Sequence, residues 1–101
     1  MKKTMNKEQF MKADNEKNRL ELIDPEFIEG LGRILTFGAN KYEAYNWMKA
    51  GSDEDRNRIF GALMRHLMAY RRGELIDKET GESHLYHATC NLMFLDYFDR
   101  H

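Results

Sequence analysis

Apolar residues recur at three- and four-residue steps in three stretches of this chain, separated by segments where that period is lost. In the first stretch, Phe27, Ile28, Leu31, Ile34, Leu35 and Gly38 fall on one side of a helix that ends near Asn40. Asp24 can accept from free amides at its start, and Pro25 suits the first helical position because its missing N–H would be unpaired there. The second stretch opens on Asp53-Glu54-Asp55 and closes on Arg71-Arg72-Gly73, the charge order that a helix dipole favours. It predicts a helix over about 54–72 that buries Ile59, Phe60, Leu63, Met64 and Leu67. The third predicts a helix over about 82–98, with Leu85, Ala88, Thr89, Leu92 and Leu95 on one side. His84, His87, Asn91, Phe94 and Phe98 occupy a neighbouring side.

The intervening segments read as connections. Residues 41–52 hold Tyr42, Tyr45 and Trp47 beside Asn46, Gly51 and Ser52, and residues 73–81 form an acidic loop between two glycines. Valine is absent and no alternating apolar–polar run competes for a strand. The expected fold is all-α, a small bundle of three main helices. Residues 1–19 are dominated by Lys, Asn, Glu and Asp and read as an arm or one short helix, leaving 20–101 as a single helical domain. The second apolar side of the last helix leads us to expect a homo-oligomer.

Composition narrows the partners. A formal charge of −1 gives no general attraction to a nucleic acid polymer or an anionic membrane, so an anionic ligand must be small and locally bound. No apolar run reaches the length that spans a bilayer, and Met1-Lys2-Lys3 has no hydrophobic stretch behind it. The single cysteine, Cys90, has no intramolecular partner, which fits a reducing cytoplasm.

Residues able to do chemistry gather late in the chain. His66, Glu74, Asp77, Glu79, His84, His87 and Asn91 lie within one window, and His84, His87 and Asn91 share a helix face. Glu74, Asp77 and Glu79 suit Mg²⁺ or Mn²⁺, which take carboxylate and phosphate oxygens. Adding His84 and His87, with His66 brought in from the preceding helix, gives instead a transition-metal set. The competing structural reading is that these histidines pair with carboxylates near a helix start and that residues 74–79 are a solvated loop. Lys41, Tyr42, Asn46 and Trp47 can meet a phosphate and stack on a base, although Trp47 also suits a role in capping the core. Arg65, beside His66, has the fork geometry for two phosphate oxygens.

The blocks Asn18-Arg19-Leu20-Glu21-Leu22-Ile23-Asp24-Pro25, Leu35-Thr36-Phe37-Gly38-Ala39-Asn40-Lys41-Tyr42, Asn46-Trp47, Met64-Arg65-His66-Leu67 and Gly73-Glu74-x-x-Asp77-x-Glu79-Thr80-Gly81-x-x-His84-Leu85-x-His87-Ala88-x-x-Asn91 resemble the small phage family labelled dATP/dGTP diphosphohydrolase. The resemblance implies removal of pyrophosphate from purine deoxynucleoside triphosphates, in the manner of MazG-like all-α pyrophosphohydrolases. Glu74-x-x-Asp77 imitates the second motif of that superfamily, whereas its Glu-Glu-x-x-Glu motif is absent. The expected site therefore places Glu74, Asp77 and His87 in catalysis, with Glu74, Asp77, His84 and His87 as ligands of a divalent ion. Lys41, Tyr42, Asn46, Trp47, Arg65, His66 and Asn91 are expected to bind the nucleotide. The absent motif keeps one alternative, a phage protein that binds and sequesters a nucleotide without turning it over.

Overall fold

The computed structural model describes residues 6–9 and 17–101. Most of the expected N-terminal arm, with its Met5, Phe10 and Met11, lies outside these residues. Three long helices follow: α1 (Pro25–Lys41), α2 (Asp53–Arg71) and α3 (His84–Arg100). Two short 3₁₀ turns, Leu20–Leu22 and Asn46–Lys49, precede α1 and α2. The described residues form no strand, only one isolated bridge between Ile76 and Ser83, so the all-α expectation holds.

Each helix begins where a side chain can satisfy its first free amides. Asp24 accepts from the Glu26 amide at 3.1 Å, Ser52 from Asp55 at 3.1 Å and Ser83 from Leu85 at 3.1 Å. The last of these moves the start of α3 two residues beyond the expected Glu82. Helix α2 ends at Gly73, whose φ of 93° is the left-handed conformation that glycine adopts without cost.

Helix α3 is central. Both α1 and α2 pack against it, while α1 and α2 scarcely meet. His66 lies against His84 and Arg56 against Phe98 and Asp99, so α2 and α3 run antiparallel. On the α1 side the Tyr86 ring of α3 lies against the α1 backbone because residue 30 has no side chain. A Cβ there would stand 2.3 Å from the Tyr86 ring, which also meets Phe27 edge-on at 5.3 Å.

The core is thin: Leu63, Ala69, Ala88, Cys90 and Phe98 are its buried apolar residues. Several expected core positions are open instead. Phe60 is 53% exposed, and Ile28, Met64 and Leu92 are exposed with it. Periodicity identified the apolar side of each helix correctly, but with α1 and α2 on separate flanks of α3, only part of each side finds a neighbour. Phe60, Met64 and Met68 are left as an exposed row at four-residue spacing along α2.

Candidate functional site

The loop between α2 and α3 folds back on itself as a tight turn. The Asp77 amide donates to the Glu82 carbonyl at 2.8 Å, Gly81 to the Asp77 carbonyl at 2.8 Å, and His84 to the Leu75 carbonyl at 3.0 Å. Gly81, at φ 75°, lets the chain reverse before Ser83 starts α3. This geometry carries Asp77 and Thr80 over the first turn of α3, where His84 and His87 emerge, opposite His66 on α2.

Three imidazoles and one carboxylate meet there. His66 Nδ1 lies 2.8 Å from His84 Nδ1, and the His66 and His87 rings stack with centroids 4.5 Å apart and planes 8° from parallel. His87 Nε2 lies 2.7 Å from the Thr80 hydroxyl and 3.5 Å from Asp77 Oδ2. Asp77 Oδ2 also accepts from the Thr80 amide and hydroxyl, each at 3.1 Å. One arrangement uses every donor: His87 Nε2–H donates to Thr80 Oγ1, whose own proton goes to Asp77. Nδ1 is then the acceptor nitrogen of His87.

Electrostatics favours the neutral form of His66 and of His87. Burial pulls the His66 pKa below its ordinary value, and the charges of His87 and His84 pull the same way. Burial also lowers His87, against the opposing pull of Asp77. For Asp77, burial pushes the pKa up, but the hydrogen bonds from Thr80 and the nearby histidines outweigh it and hold the carboxyl below the usual range. A neutral imidazole beside an ionised carboxylate is a competent proton acceptor and a competent metal ligand.

The expected site residues divide into those the fold gathers and those it does not. His66, Asp77, His84 and His87 converge. Lys41, the last residue of α1, reaches the edge of the corner through Glu79, 3.6 Å away, and its ammonium lies over the exposed Tyr42 ring. Glu74 does not join them: just past the turn at Gly73 it pairs with Arg72 at 3.5 Å, exposed to solvent. Trp47 takes the core-capping place that the sequence also offered it. It stacks on Phe94 at 4.7 Å and meets Tyr97 and Phe98 edge-on, so it closes the far end of the core rather than facing a ligand. Asn46 opens the same 3₁₀ turn. Arg65 is exposed on α2 and lines a shallow hollow with Glu54, Asn57, Arg58 and Gly61. Asn91 is half-buried, one turn beyond His87.

Two contributors escaped the sequence reading. Thr80 links His87 to Asp77, and the Asp-x-x-Thr-Gly spacing of a polar turn is the signal that could have found it. Glu82, held by Arg33 through hydrogen bonds of 2.7 and 3.0 Å, ties α1 to the end of the same loop. Arg33 holds the Glu82 carboxyl below its ordinary pKa.

The family described as dATP/dGTP diphosphohydrolase, N-terminal, matches residues 7–101. The chain belongs to this family. A relative from Salmonella phage PMBT28, named dATP/dGTP diphosphohydrolase, is 36% identical over 85 residues, 84% of this chain. The chain spans only 28% of that relative's length. No solved structure matches. Among the described residues, no helix is long and apolar enough to cross a membrane.

Proposed function

We propose that this chain binds purine deoxynucleoside triphosphates at the corner formed by His66, Asp77, His84 and His87 and hydrolyses them to the monophosphate and pyrophosphate. One observation carries the reading: three imidazoles and a carboxylate from α2, the loop and α3 converge within hydrogen-bonding distance. That they do so in a family with a relative named for dATP and dGTP gives the substrate class.

In this reaction water adds to a phosphorus atom, the bond to the leaving pyrophosphate breaks, and the water proton must be taken up. His87 Nδ1 accepts that proton, and Asp77 stabilises the resulting imidazolium through Thr80, as a carboxylate orients a histidine in other hydrolases. Lys41 offsets negative charge that grows on the phosphate oxygens. Asp77 suits a hard divalent ion, whereas Glu74, turned toward Arg72, does not. Magnesium or manganese brought with the triphosphate would supply Lewis acidity to the reaction. A homo-oligomer in which another copy covers the row of Phe60, Met64 and Met68 completes the proposal, and sedimentation of the purified protein tests it.

The enzymatic test is product analysis of dATP and dGTP incubated with Mg²⁺ or Mn²⁺ and wild type, Asp77→Ala or His87→Ala. Both variants are expected to be slower by about a hundredfold or more. Equal rates in the three proteins would end the proposal. Because the relative is much longer than this chain, a second reading assigns it nucleotide binding alone, as a sequestering or delivering module. Calorimetry showing tight binding, unchanged by EDTA and without turnover, would favour that reading.

A further inference from the structure

The proposed hydrolysis accounts for Asp77 and His87 but leaves one close contact of the corner unused, the His66–His84 pair at 2.8 Å. We infer that His66 Nδ1, His84 Nδ1 and the Asp77 carboxylate hold a resident transition-metal ion of the zinc or cobalt class, distinct from any magnesium that arrives with a nucleotide. The inference rests on the same corner being a functional site, but its test needs no turnover.

Geometry comes first. One donor atom from each of the three residues falls in a cluster whose members all lie within 4.8 Å of one another. The two imidazole nitrogens are 2.8 Å apart. Ligand bonds of about 2.0–2.1 Å at the tetrahedral angle place neighbouring donors about 3.3–3.4 Å apart, so the pair has only to open by about half an ångström to become adjacent ligands. An ion needs little rearrangement to enter.

Chemistry then selects the ion. Two imidazoles and one carboxylate are a donor set for zinc, iron, cobalt or nickel, while magnesium prefers oxygen throughout. Two imidazole nitrogens that face each other at 2.8 Å have room for at most one proton between them, and a bound cation can take that place with a contact to both lone pairs. The contacts of Asp77 with Thr80 and His87 all fall on Oδ2, which leaves Oδ1 open among the described residues.

The surroundings brace the ligands as metal sites require. His84 is only 8% exposed, and the His66 ring is pressed flat against His87. His87 lies outside the cluster of three donors, its Nε2 engaged by Thr80. This revises the expected ligands, substituting His66 for Glu74 and His87.

The test uses the full chain freed of metal by a chelator and then titrated with Zn²⁺, Co²⁺ or Mg²⁺ in the absence of nucleotide. Calorimetry should give one Zn²⁺ or Co²⁺ per chain, bound about a hundredfold or more tightly than Mg²⁺, and the cobalt protein should show visible absorption characteristic of nitrogen ligation. His66→Gln should weaken zinc by about a hundredfold with its circular dichroism spectrum unchanged, and Glu74→Ala should leave zinc affinity as it was. Magnesium binding as tightly as zinc in the wild-type protein would overturn the inference even if every variant misfolded, and so would wild-type zinc affinity in a folded His66→Gln protein. Selective zinc binding without hydrolysis of any deoxynucleotide would refute the proposed activity and leave this site standing. Hydrolysis supported by magnesium, with no selective zinc binding, would do the reverse.

Discussion

The two ends of α3 are built on opposite principles. At its C-terminal end Phe94, Tyr97 and Phe98 enclose Trp47, and Arg56 donates to the Phe98 carbonyl at 2.8 Å and to Asp99 at 2.7 Å. At its N-terminal end the space between helices is filled by His66, Asp77, Thr80, His84 and His87. The first arrangement removes apolar surface from water and needs no special orientation. The second places polar groups where each must find a partner, and no buried side-chain nitrogen or oxygen among the described residues is left without one. In a small, thinly packed protein a polar network in that position adds less to stability than an apolar contact of the same size would.

The largest expected effect tests that division directly. Phe98→Ala removes a ring that is 6% exposed and should cost about 4 kcal/mol, read as a shift in the urea midpoint. Hydrolysis per folded molecule should be unchanged, because Phe98 is remote from the imidazoles. Thr80→Val makes the opposite trade. It keeps the shape but breaks the link between His87 and Asp77, and should slow hydrolysis by about 10–100-fold while shifting the urea midpoint far less than Phe98→Ala. If the two variants changed activity and stability in the same proportion, the contrast between the ends would be wrong.

How much of this was visible in the sequence follows the same line. Helix starts were legible because Asp24-Pro25 carries a local mechanism, and the end of α2 because Gly73 does. The meeting of His66 with His84 and His87 was legible as a cluster of chemistry-bearing residues on two successive helices. The placing of Glu74 beside Arg72 was not legible, because proximity to Asp77 in sequence says nothing about the turn between them. Phe60 and Met64 were misjudged because a periodic stripe shows which side of a helix is apolar, not whether a neighbour covers it. Gly30 gave no signal at all, since its role depends on Tyr86, far along the chain.

Acid should separate the two ends more gently. His66 and His87 have folded pKa values below the unfolded value of 6.5, so below that pH the unfolded chain binds more protons and stability falls as pH falls. Asp77 acts in the same direction at lower pH: its folded pKa lies below 3.8, so its contribution is present above 3.8 and is lost as pH drops through the folded value. Thermal midpoints should therefore decline on acidification below pH 6.5, and His66→Gln should flatten that decline. A profile unaltered by His66→Gln would mean that the aromatic end, not the histidine corner, controls the response to acid.

The smallest effect belongs to Arg33→Ala. Arg33 grips both oxygens of Glu82 across 49 residues of sequence and so fastens α1 to the polar end of α3. Its guanidinium is largely open to solvent, where water and salt screen most of the attraction. The thermal midpoint should drop slightly at low salt and match wild type at high salt. The Glu82 backbone carbonyl would still accept from Asp77 after the clasp is lost, so the loop should keep its turn and hydrolysis its rate. A salt-independent loss of activity in Arg33→Ala would mean instead that α1 positions the histidine corner, and the two ends of α3 could no longer be treated as separate.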